Sequence, residues 1–239
     1  MGNQEKKMGP LIILHGWTYS IKRWKPFLRL LEKSGIEYEM LKIPGLTAPL
    51  DHVWTLDDYV SWLHLRTKNE ERIALLGHSN GGRISQGFAK KYPQKVSRLI
   101  LIDSAGIYHQ DITIQIKRFV FGNLALLKRF ISTSFLQDLF YKIVREYDYH
   151  RASPLMKKVL QNLLDSDKNN RLEEVNVPTT IIWGENDNVT PLSDGKIMKE
   201  KIANSSLNII NGAGHSPQFT NTSEVARIVI SILKNHGNI

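Results

Sequence analysis

A chain of 239 residues, 41% hydrophobic and 23% charged, is long enough to bury the core of one domain, and no apolar run approaches the ~18 residues that a membrane span needs. The absence of cysteine excludes disulfides, thiolate nucleophiles and cysteine-ligated metals together. The net charge of +9 attracts polyanions, but the 32 lysines and arginines are scattered and lack interleaved aromatics, which points to a solvated basic surface rather than a nucleic-acid site. The first residues carry no signal-peptide core, so a cytoplasmic location is expected.

The apolar stretch 11–14, followed by His15 and Gly16, predicts a strand buried on both faces. Phe27, Leu28, Leu30 and Leu31 predict a helix over 21–33 that turns these side chains to the sheet. Gly35 ends it, residues 36–43 form a second strand stopped by Pro44-Gly45, and Leu56, Val60 and Leu63 mark one side of the next helix. A third strand over 72–76 runs into GHSNGG at 77–82, a helix from 80 to 92 stops before Pro93, and a fourth strand over 96–102 ends at Asp103. Strict alternation with continuous apolar runs predicts a doubly wound, mostly parallel α/β sheet with helices on both faces.

The pattern changes between residues 107 and 170, where helical periodicity replaces strands. This segment is expected to be a helical lid inserted into a core made of residues 1–106 and 171–239. It holds nine aromatics, of which Phe119, Phe135, Phe140 and Tyr141 are candidates to line a substrate pocket. Alternation then resumes with a strand over 179–183, a helix over 192–202 and a strand over 206–210. A last helix opens near Asn221, with Glu224 three places on, and offers Val225, Ile228, Val229, Ile232 and Leu233 to the core.

Three loops matter because each follows the carboxyl end of a strand, where open α/β sheets place their sites. They offer Ser79, Asp187 and His215 in that order. A serine hydroxyl becomes a competent nucleophile when a neutral imidazole takes its proton, and a carboxylate fixes the imidazole tautomer and stabilises the imidazolium. The backbone N–H of Asn80, next after Ser79, and that of Trp17, in the loop after the first strand, are the expected oxyanion donors. No His-Glu-x-x-His spacing or phosphate-loop ending is present, so neither a metal nor a cofactor is expected.

Together, HGW (15–17), GHSNGG (77–82), GENDNVTP (184–191) and GAGHSPQ (212–218) resemble the α/β-hydrolase superfamily, and especially compact bacterial serine carboxylesterases of the pimeloyl-carrier methyl esterase type. The resemblance covers nearly all of the chain except the insert. It implies that Ser79, Asp187 and His215 form the triad and that the insert is a lid over it. Some hydrolases of this fold hold the acid where Asp103 stands; here Asp187 fits its motif and Asp103 is expected to cap a loop.

The resemblance also implies an amino-terminal antiparallel hairpin, for which the stretch before Leu11 is too short, so the strand over 36–43 becomes a sheet edge. Glu37, Glu39 and Lys42 discourage pairing there, and the expected state is a monomer, with a dimer through that edge as the alternative. The expected partner is a small-molecule ester or lactone, or an ester on an acidic acyl carrier, with no membrane or nucleic acid involved. Carbon–carbon bond hydrolysis by the same triad, and a low-turnover ligand receptor of the same fold, are the competing readings.

Overall fold

The structure is a computed structural model that describes residues 9–109 and 152–234. In chain order the elements are β1 (Leu11–Leu14), α1 (Lys25–Lys33), β2 (Tyr38–Met40), α2 (Leu56–Arg66), β3 (Ile73–His78), α3 (Asn80–Lys91), β4 (Val96–Ile102), α4 (Pro154–Ser166), β5 (Thr179–Gly184), α5 (Leu192–Lys201), β6 (Ser205–Ile210), α6 (Pro217–Thr220) and α7 (Thr222–Lys234). The six strands form one sheet in the order β2-β1-β3-β4-β5-β6, and every pair is parallel.

The continuous apolar runs of the strands follow from burial on both faces. Ile12, Leu14, Leu75, Leu99, Leu101, Ile181 and Trp183 join one core with Tyr59 and Val60 of α2, Ile84 and Phe88 of α3, and Met156, Val159 and Leu163 of α4. Their neighbours Leu11, Ile13, Ala74, Leu76, Ile100, Ile102 and Ile182 point the other way and meet Phe27 and Leu31 of α1 and Val225 and Val229 of α7. A period of two along each strand therefore feeds two cores at once. A strand with only one buried face would alternate apolar with polar residues instead.

Chain direction across the sheet reverses at β1, since β2 lies on one side of it and β3 on the other. That switch point opens a crevice at the carboxyl ends of β1 and β3. Gly81 lets α3 start there. A Cβ on it would overlap the carbonyl oxygen of Leu14 and come within 2.6 Å of that of His15, so the first turn of α3 lies directly on the end of β1.

Two boundaries differ from the sequence expectation. The second strand shrinks from 36–43 to Tyr38–Met40, because its partner β1 is only four residues long and pairs with it over Leu11–Ile13. Glu37, Glu39 and Lys42 are exposed along this edge, and among the described residues no strand pairs with its outer side. The last helix is preceded by the short α6, which Pro217 opens. In α7, Ala226 is buried with Val225, Val229 and Leu233, while Ile228 and Ile232 are half-buried.

Of the insert, residues 107–109 and 152–170 are described, and Phe119, Phe135, Phe140 and Tyr141 lie outside the described residues. α4 is capped by the Ser153 hydroxyl, which accepts from the Met156 N–H at 3.2 Å, and its buried face joins the core shared by α2 and α3. No described helix is long and apolar enough to cross a membrane. Gly81→Ala is expected to destabilise the fold by about 1–3 kcal/mol, because the added methyl meets backbone carbonyls that cannot rotate away. A lower urea midpoint with an unchanged m-value would show this.

Candidate active site

β3 ends at His78, α3 begins at Asn80, and the single residue between them absorbs the whole change of direction. Ser79 does so at φ 52° and ψ −118°, a region that non-glycine residues rarely occupy and that costs on the order of 1–3 kcal/mol. Backbone hydrogen bonds hold it there. Its N–H donates to the Ile102 carbonyl at 3.0 Å, and its carbonyl accepts from Gly82, Arg83 and Ala105. The turn lifts the side chain out of the sheet plane, and Ser79 is half-buried while its neighbours on either side are buried.

His215, in the loop after β6, brings its Nε2 to 3.0 Å from Ser79 Oγ and its Nδ1 to 2.8 Å from Asp187 Oδ2. With Nδ1–H donating to the carboxylate, Nε2 is free to accept the serine proton. The Asp187 side chain is fully buried and that of His215 is 19% exposed. Asp187 is held by the turn that follows it: its Oδ1 accepts from the N–H of Val189 (2.7 Å) and of Thr190 (3.1 Å). The Thr190 hydroxyl donates to Asp187 Oδ2 at 2.8 Å and lies 3.2 Å from His215 Nδ1. Ser79, Asp187 and His215 are thus brought into one hydrogen-bonded chain from three separate loops.

Of the two expected oxyanion donors, Asn80 adjoins the nucleophile and Trp17 follows a residue that packs on it. Asn80 is the first residue of α3, so its N–H has no carbonyl within the helix to bond. Gly16 lies against Ser79, since a Cβ on it would stand 3.1 Å from the serine Cβ, and Trp17 follows directly. His15 shapes this loop, as its Nδ1–H donates to the Gly16 carbonyl (2.8 Å) and its Nε2 accepts from the Thr47 hydroxyl (2.7 Å). Burial lowers its pKa against the opposing effect of the Gly16 bond, which suits a neutral imidazole used for structure.

Beneath His215 lie groups whose proximity the sequence did not signal. The His78 ring packs against Trp24 and Phe219, which also meet each other, and its centroid lies 5.2 Å from that of the His215 ring. Burial, and then the neighbouring His215, hold the His78 imidazole well below its ordinary value. Asp103, at φ 41°, accepts from the Gly184 N–H at 2.8 Å and so ties the end of β4 to the start of the Asp187 loop. That is the capping role expected of it, with an addition. Its second oxygen is buried and has no partner among the described residues. Burial, and then the charge of Asp187, push its carboxyl well above the usual carboxylate range, against the effect of the Gly184 bond.

His78, Asp103 and His215 bring ligand-type atoms within 4.8 Å of one another. Both nitrogens of His215 are already engaged with Ser79 and Asp187, so a cation there would compete with the serine relay for one imidazole. Asp103 was expected as a loop cap, whereas the sequence reading placed neither Thr190 nor His78 at the site. Thr190 alone left a signal, as a hydroxyl three places after an aspartate in a tight turn.

A family model described as serine aminopeptidase, S33, matches residues 5–220. The chain belongs to this family of α/β hydrolases. It is 26% identical over 265 residues to the biotin biosynthesis bifunctional protein BioHC of Teredinibacter turnerae, a match covering 98% of this chain and 46% of that longer protein. It is 24% identical over 260 residues to the human monoacylglycerol lipase ABHD6, covering 95% of this chain and 76% of the relative. An esterase from Thermogutta terrifontis superposes with a TM-score of 0.68 at 21% identity, over 96% of this chain and 92% of that one. The α/β-hydrolase fold and hydrolase class of the protein accordingly stand.

In this hydrolase a raised Asp103 pKa has a defined consequence for stability. The neutral form is favoured in the folded state, so its contribution is present below the unfolded carboxylate pKa of about 3.9 and is lost as the pH rises through the folded value. Asp103→Asn, which keeps an oxygen for the Gly184 N–H, is expected to melt above wild type at pH 8, with the difference shrinking toward pH 4. Thermal melts followed by circular dichroism at the two pH values measure it.

Proposed function

We propose that this α/β hydrolase is a serine carboxylesterase acting through an acyl-enzyme on Ser79. The observation that carries the reading is the unbroken chain from Ser79 Oγ through His215 Nε2 (3.0 Å) and Nδ1 to Asp187 Oδ2 (2.8 Å). In the acylation step His215 Nε2 takes the Ser79 proton as Oγ attacks the ester carbonyl carbon. The carbonyl oxygen becomes an oxyanion and is held by the backbone N–H groups of Asn80 and Trp17. The tetrahedral intermediate collapses, the C–O bond to the alcohol breaks, and His215 gives its proton to the leaving oxygen. Water, deprotonated by the same imidazole, then attacks the acyl carbon, the bond to Ser79 Oγ breaks, and His215 returns the proton to Oγ as the acid leaves.

The buried Asp187 serves by holding Nδ1–H and stabilising the imidazolium, and the Val189 and Thr190 donors keep its carboxylate fixed while it does so. The esterase and lipase among the similar proteins support the ester reading. The substrate is a small-molecule carboxylic ester, and the chain's positive charge favours one that is itself negative or borne on an acidic carrier.

Labelling with a fluorophosphonate at pH 8 is expected to modify the wild type and to fail on Ser79→Ala; label on both proteins would move the nucleophile elsewhere. On a p-nitrophenyl ester, Ser79→Ala is expected to lower kcat by about 10⁴–10⁶-fold and Asp187→Asn by about 10⁴-fold, with folding unaffected by circular dichroism.

A further inference from the structure

Asn80 has a second feature besides its backbone N–H. Its side chain is buried, with the residue only 4% exposed, and its Oδ1 accepts from Nη1 of Arg83 one turn along α3. The rest of that guanidinium is bound in turn, as Nε and Nη2 each donate at 2.7 Å to the two carboxylate oxygens of Asp167, just after α4. The pair is buried, at 5% and 6% side-chain exposure. Arginine offers donors and no acceptor, so the Asn80 amide cannot flip without setting its own N–H groups against the guanidinium. The ion pair therefore fixes which way the amide faces.

The Asn80 Nδ2 that remains is buried and has no acceptor among the described residues. A protein core avoids leaving such a donor unmet, because it loses the hydrogen bond it had in water and gains none. The indole Nε1–H of Trp17 is in the same condition. Both residues expected as oxyanion donors thus keep a buried side-chain N–H without an acceptor. Indole N–H and amide N–H₂ are donors only, and both are neutral, so they match an acceptor oxygen.

The leaving alcohol must lie next to His215, which protonates it. Asn80 and Trp17 belong to the opposite side, where Trp17 packs on the core shared by α2, α3 and α4, while the His215 ring lies 5.2 Å from that of His78, which in turn meets Phe219. That side is left to the acyl half. Resting on the esterase reading, we infer that Asn80, positioned by Arg83 and Asp167, donates from Nδ2 to a second oxygen on the acyl group, close to the scissile carbonyl. The preferred substrates are esters of oxo acids rather than plain alkanoates. A site built to hydrogen-bond a substrate oxygen rejects the analogue that lacks it far more strongly than an apolar pocket rejects a missing methylene.

The test is the ratio of kcat/KM for ethyl 3-oxobutanoate to that for ethyl butanoate, followed by pH-stat titration, which cancels intrinsic effects of each variant on the triad. Asn80→Asp keeps an oxygen for Arg83 and replaces the donor by an acceptor, and Asn80→Ala removes both. Each is expected to lower the ratio by about 10–100-fold. Arg83→Met combined with Asp167→Leu leaves no unpaired buried charge, and it is expected to lower the ratio as well. A merely structural role for the pair would lower both esters in step.

A ratio within twofold of wild type in the folded Asn80 variants overturns the inference. So does a wild type that takes fluorophosphonate label on Ser79 and turns over neither ester, an outcome that leaves the nucleophile reading standing. A wild type that takes no label overturns the esterase reading and the inference with it.

Discussion

A serine held at φ 52° is the constraint around which the rest of the molecule is arranged. The turn needs the β4 backbone beside it, because the Ser79 N–H and carbonyl are anchored on Ile102 and Ala105 at the end of that strand. It also needs α3 to begin hard against the end of β1, which the missing Cβ of Gly81 permits. The strain is small against the two cores that flank the sheet, so the fold tolerates it. In exchange the hydroxyl stands clear of the sheet at the one edge where all the strand-end loops converge.

The buried acids at that edge differ in their hydrogen-bond partners rather than in exposure. Asp187 keeps three hydrogen-bond donors from its own turn in addition to His215, while Asp103 has a single backbone donor and lies close to it. Burial and the nearby charge of Asp187 push the Asp103 carboxyl up. Likewise His78 is pushed toward neutrality, leaving His215 beside an uncharged ring. One acid and one imidazole are thus joined to Ser79 by hydrogen bonds, and the other acid and imidazole are held toward neutrality beside them.

Most of the fold was legible because burial on both faces writes continuous apolar runs into β1, β3, β4 and β5, and helices between them carry a period of 3.6. The three loops that meet through Ser79, His215 and Asp187 were legible too, since glycines and loop-forming residues mark those strand ends. Edge effects were not. The length of β2 depends on its partner, and nothing between Ile36 and Ile43 announces that β1 stops after four residues. Contacts distant in sequence were equally silent: Arg83 and Asp167 are ordinary charged residues until the fold buries them against each other, and Asp103 looks like any loop cap until Asp187 is brought beside it.

The central claim is that Ser79 carries a covalent acyl group during turnover. Cleavage after Arg72 and Arg83 yields the peptide 73–83, in which Ser79 is the sole hydroxyl-bearing residue. Acid quenching during turnover of p-nitrophenyl acetate, followed by digestion and mass spectrometry, is predicted to show this peptide heavier by one acetyl group, with the fragment ions placing it on Ser79. Consumption of the ester with the acetyl group on another peptide, or with none on 73–83 under a quench fast enough to catch the first release of p-nitrophenol, would contradict the account.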